Sequence, residues 1–155
     1  RALSPVLASS GFLPLICGAA SQSQAARLAE ALDDPAMFGT AFPVPSIAAQ
    51  DTKHYAKDMW RGPVWINMNW LIARGFERCG FGDVAARLRS RTMAEIEDAF
   101  EKYGTLFEFY DDRGEVPPVR LLRKGKCAPD VSPYHQVFHD YGWTASLYAD
   151  LSYSG

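Results

Sequence analysis

The chain has 155 residues, 48% of them hydrophobic and 22% charged, with a formal net charge of -2. That length fits one compact domain able to bury about two-thirds of its unfolded surface, and the composition excludes disordered and fibrous classes. Lysines and arginines are scattered, so no electrostatic footprint exists for nucleic acid or an anionic membrane surface.

The chain opens on Arg1, mid-pattern and without a cap, and is expected to be a piece of something longer. Residues 1–20 are apolar with no clear period. Their most hydrophobic stretch, GFLPLICGAA, is broken by Pro14 and Gly18 and is too short to cross a bilayer. It also lacks the basic lead of a signal sequence. Cys17, Cys79 and Cys127 are odd in number and have no C-x-x-C spacing, which argues against a disulfide framework and a zinc site. A reducing, cytoplasmic location without membrane partners is the expectation.

Ala25, Leu28, Ala29 and Leu32 form one stripe of an amphipathic helix over 21–32, with Ser21 and Gln24 spaced as a capping box. Asp33, Asp34 and Pro35 end it. Residues 35–57, with FPVPS inside, are too punctuated for regular structure. Gly62 and Pro63 mark the next helix start, because proline suits the first helical position. From Pro63 to Phe76 the residues are apolar nearly all round, as in a helix enclosed on most sides, with Gly75 and Gly80 helping to stop it. Asp83 is expected to cap a helix to about Tyr103, with Val84, Leu88, Ile96 and Phe100 inward and charged residues outward. A last helix covers about 142–151. The order of amphipathic and enclosed helices suggests an all-α fold of layered helical hairpins.

Three stretches carry candidate chemistry. In KDMWRGPVWINMNWLIARGF (57–76), Trp60 and Arg61 lie in the loop before the helix and Trp65 falls in its first turn. They would crowd the positive helix end, where free amides also point. Indole walls, a guanidinium and amides suit a sugar or polyol, although rings of this kind also fill cores. Asn67 and Asn69 are polar residues in a greasy helix, and a buried amide without partners costs about 1–3 kcal/mol. In GTLFEFYDDRGE (104–115), Glu108 sits between Phe107 and Phe109 with Tyr110 next. It is either a strand-edge residue facing water or a base in a partly dry pocket, with Arg61 to balance its charge. Asp111, Asp112 and Gly114 look like a turn. In the third stretch (134–151), His135 and His139 would share a helix face as a metal pair might, yet no third ligand accompanies them. The basic run RLLRKGK (120–126) reads most simply as a solvated loop.

Three blocks in order, MWRGPVWINMNWLIARGF, FEFYDDRGE and YGWTASLYADL, resemble the C-terminal part of glycoside hydrolase family 63. The likeness is to bacterial members acting on glucosyl- or mannosylglycerate, and FPVPSIAAQD (42–51) fits the preceding segment. The resemblance implies part of an (α/α)6 toroid, inverting hydrolysis and a carbohydrate substrate. It implies that Trp60, Arg61, Gly62 and Trp65 line the sugar subsite and that Glu108 is the general base. Tyr110 and Trp143, rings beside carboxylates in their own stretches, are further candidates for substrate binding. Met59 stands where relatives usually have Tyr. No metal or organic cofactor is implied. The catalytic acid would lie on earlier hairpins outside the chain, which would pack on the missing part or self-associate through apolar faces. The alternative is a carbohydrate-binding or helical interaction module without catalysis.

Overall fold

The computed structural model describes residues 4–123 and 136–153. Among them five α-helices account for the regular structure, and β pairing is limited to isolated bridges. A 3-10 turn at Ser9–Phe12 leads into α1 (Leu13–Ile16). It is followed by α2 (Gln22–Asp33), α3 (Ile66–Arg78), α4 (Gly82–Tyr103) and α5 (Gly142–Tyr153). The all-α expectation holds.

Helix α2 begins where its sequence says it should. Ser21 Oγ accepts from the Gln24 amide, and the Gln24 side chain accepts from the Ser21 amide. Each bond satisfies a donor that a helix start otherwise leaves orphaned. Helix α4 ends on Gly104 at φ 68°, a left-handed position that glycine takes without a Cβ penalty. Asp83 lies in its first turn rather than at the cap, which Phe81 occupies without a side-chain bond. Leu88 and Ile96 face inward with Ala85, Thr92 and Ala99, whereas Phe100, expected inward, is 50% exposed. It is one position off the buried stripe and borders a groove against Leu106 and Tyr148.

Helix α3 is central, packing on α1, α4 and α5. It starts three residues later than the proline suggests. Val64 exchanges two backbone hydrogen bonds with Tyr110, at 2.8 and 3.0 Å, and also bridges Pro45. That long-range pairing keeps 63–65 extended and makes Trp65, at φ -111° and ψ 125°, the N-cap. Gly75 does not end α3. It is buried within it, and a Cβ there would come within 2.6 Å of Leu15 Cβ, so glycine permits the close approach of α1.

Asn69 finds partners for its amide nitrogen, while its Oδ1 is buried without a hydrogen bond. It is 1% exposed, and its Nδ2 donates to Pro43 O at 3.2 Å and Thr92 Oγ1 at 2.9 Å. The amide ties the irregular 42–48 segment to α3 and α4. On the other side of α3, Trp70 Nε1 and Arg74 both donate to Asp150 of α5, at 2.6 and 2.8 Å.

Candidate active site

The tryptophan turn is built from below. Ser46, 4% exposed, donates from Oγ to Pro63 O at 2.7 Å and accepts from the Gly62 amide at 3.0 Å. Gly62 has φ 148°, and a Cβ there would collide with Ala56 O, so only glycine fits. Trp65 is 3% exposed and donates from Nε1 to Met59 O at 3.0 Å. Trp60 stacks on it at 3.9 Å between ring centroids and 5° between planes. The outer ring is 42% exposed, so this is a buried indole supporting an open one.

The second block is joined to the first in a fixed register. The pairing of Val64 with Tyr110 sets Trp65 beside Phe109, their centroids 5.1 Å apart. Glu108 is the next residue and is 4% exposed, so it is no strand-edge carboxylate facing water. Its amide donates to Phe138 O at 3.0 Å, and its Oε2 accepts from the Phe138 amide at 3.4 Å. Arg123 Nε lies 2.9 Å from the same oxygen, as an ion pair without hydrogen-bond alignment. A buried carboxylate without such a partner would be strongly unfavourable.

Arg123 therefore fills the place expected of Arg61. Arg61 is exposed and donates from Nε to His54 O at 3.2 Å, a carbonyl in place of the expected carboxylate. The basic run reads as solvated in the sequence, yet Arg123 turns inward, with 23% of its side chain exposed and its guanidinium 3.9 Å above the Phe138 ring. Lys124 and Lys126 lie outside the described residues. Tyr141 also belongs to this neighbourhood: burial and then the Glu108 carboxylate raise its phenol above the usual range.

The other nearby groups brace the site. Tyr110 is 2% exposed and its hydroxyl accepts from the Phe107 amide at 3.1 Å; burial pushes that phenol up to about 12. Asp111 is held by Lys57 at 2.7 and 2.8 Å and accepts the Glu115 and Val116 amides, closing the expected turn. Asp112, fully buried, accepts from the Tyr55 hydroxyl, and burial raises its carboxyl pKa. Trp143 is 56% exposed on the first turn of α5, its ring 6.0 Å from Tyr141. His139 precedes α5 and rests its ring edge on Phe107, while His135 lies outside the described residues. Among the described residues, no group of three His, Cys, Asp or Glu side chains could hold a metal ion. None of the described helices is long and apolar enough to cross a membrane.

Residues 1–144 match the model of the mannosylglycerate hydrolase MGH1-like glycoside hydrolase domain. Mannosylglycerate hydrolase MGH1 of Selaginella moellendorffii is 37% identical over 112 residues, covering 68% of this chain and 20% of the relative. A mannosylglycerate hydrolase of Thermus thermophilus is 38% identical over 101 residues, covering 63% and 24%. The crystal structure of a family 63 mannosylglycerate hydrolase from Thermus thermophilus in complex with Tris superposes with a TM-score of 0.68 at 28% identity. That match covers 97% of this chain and 30% of the other. This chain thus spans less than a third of the length of these relatives. The chain belongs to the mannosylglycerate hydrolase MGH1-like family of glycoside hydrolase domains.

Proposed function

We propose that the chain is the C-terminal part of the (α/α)6 catalytic barrel of an inverting glycoside hydrolase. Its substrate would be an α-mannoside or α-glucoside of a small anionic aglycone such as glycerate, with Glu108 as the base that activates water. The observation that carries this reading is Glu108 itself, which is 4% exposed, paired with Arg123 and held in register with the stacked indoles. A buried charge is costly, and such groups concentrate where chemistry uses them.

In this reading Trp60 offers its open face to the apolar side of a sugar ring and Trp65 backs it. Arg61, exposed beside the ring, reaches hydroxyls or the carboxylate of the aglycone. Gly62 keeps the turn narrow, Tyr110, with its hydroxyl on the Phe107 amide, braces the segment that carries the base, and Trp143 offers a further exposed ring to the substrate. Inversion needs a second carboxyl about 6.5–9.5 Å from the base, and the reading assigns it to hairpins outside this chain. The reaction so drawn uses no metal or organic cofactor. The free thiols of Cys17 and Cys79 suit a cytoplasmic setting. Phe100, Phe138 and Tyr153, exposed here, would be covered by neighbouring hairpins. The chain alone should then self-associate in light scattering, and a monodisperse monomer would count against truncation.

The test is the full-length polypeptide, with and without Glu108→Gln, assayed on mannosylglycerate, glucosylglycerate, trehalose and kojibiose. Turnover lost with sugar binding kept supports the reading; unchanged turnover removes the base.

A further inference from the structure

We infer that Arg123 is a positioning residue for the candidate base: it anchors Oε2 of Glu108 and leaves Oε1 to take a proton from water. The inference rests on the reading of Glu108 given above. The two oxygens are unequally occupied. Oε2 has Arg123 Nε at 2.9 Å and the Phe138 amide at 3.4 Å, while no hydrogen bond reaches Oε1 from the described residues. A carboxylate that accepts a proton needs one oxygen fixed in direction and the other open. The amide contact is long, so the ion pair is the stronger of the two restraints on rotation of the carboxylate.

Arg123 is itself held on three sides. Its guanidinium lies 3.9 Å above the Phe138 ring. The backbone just before it is stitched to two other segments, Leu122 bridging Asp58 in parallel and Gln136 in antiparallel. Leu121 is 1% exposed and accepts from the Val137 amide at 3.1 Å. Phe138 closes the arrangement, since its backbone pairs with Glu108 and its ring carries Arg123. A mobile surface ion pair has none of this support. Asp111, three residues after Glu108, supplies the contrast. Lys57 touches both its oxygens and two amides bind Oδ2, so that carboxylate is closed to water.

The experiment uses the full-length polypeptide with mannosylglycerate as substrate. Arg123→Ala should lower kcat about 10- to 100-fold, as misplacement of a reacting group by about an ångström does. KM should stay within about two-fold, because Arg123 acts through Glu108 and not on the substrate. Added guanidinium chloride at concentrations below unfolding should restore part of the lost kcat, and Arg123→Lys should fall between the two. Phe138→Leu, which removes the ring beneath the guanidinium, should reduce kcat less than Arg123→Ala. If Arg123→Ala does not fold, Arg123→Lys and Phe138→Leu decide the matter. A kcat within about two-fold of wild type in the folded variants overturns the inference, as does a loss of kcat that tracks thermal stability and ignores guanidinium. The Glu108→Gln control separates the two claims. If that variant turns over normally, the base reading fails. If it is inactive while Arg123→Ala is intact, only the positioning role fails.

Discussion

The segment that carries Glu108 and the turn that carries Trp60 are held in opposite ways. Glu108, Tyr110, Asp111 and Asp112 are all at most 5% exposed, and the side chains of Glu108, Asp111 and Asp112 are each fixed by a partner from a distant segment. Trp60 and Arg61 are exposed, and the turn that holds them is secured from beneath, by Ser46, Trp65 and a glycine no other residue can replace. On the proposed function, the difference is one of task. A group that must take a proton needs a fixed direction and a dry surrounding. A ring that receives a sugar needs a fixed plane and an open face. The functional side chains themselves are gripped in one region, whereas in the other the turn beneath them is gripped and they stay open.

That contrast can be broken at several points. The largest effect should come from Glu108→Gln, which should cut kcat by at least about 100-fold while sugar binding, followed by calorimetry, survives. Gly62→Ala should destabilise the fold by about 2–4 kcal/mol in urea unfolding, because it combines positive-φ strain with a backbone clash. Trp60→Ala should weaken sugar binding about 10-fold and change stability by less than about 1 kcal/mol, since its outer face is open. If instead it unfolds the protein, the open-platform view is wrong. The smallest effect concerns Tyr110, whose folded pKa is raised to about 12 from 10.0. A raised folded value means the neutral phenol is the form favoured by folding. Its contribution is fully present below pH 10 and is lost as pH rises through about 12. Tyr110→Phe should flatten that alkaline loss of stability in denaturant titrations between about pH 9 and about 12.

Much of this is legible in the sequence wherever the signal is local. Helix α2 carries its own capping box, and α4 ends on a glycine in the left-handed region. Glu108 stands out as a carboxylate among rings, and its burial decides between the two readings that its sequence context allows. The rest is decided by distant residues. Pro63 proposes a helix start, but pairing of Val64 with Tyr110 overrides it. Gly75 looks like a terminator, and only the approach of Leu15 explains it. Arg123 is hidden in a basic run. Nothing local says which cation of RLLRKGK turns inward, although the two leucines before it hint that the segment meets the core.

The most direct measurement is chemical rescue of Glu108→Ala in the full-length polypeptide, with azide as nucleophile and the product's anomeric configuration read by NMR. The account predicts negligible hydrolysis of an activated α-mannoside without azide, and β-mannosyl azide accumulating with it. Hydrolysis at the wild-type rate without azide, or rescue that yields the α-azide, would contradict it.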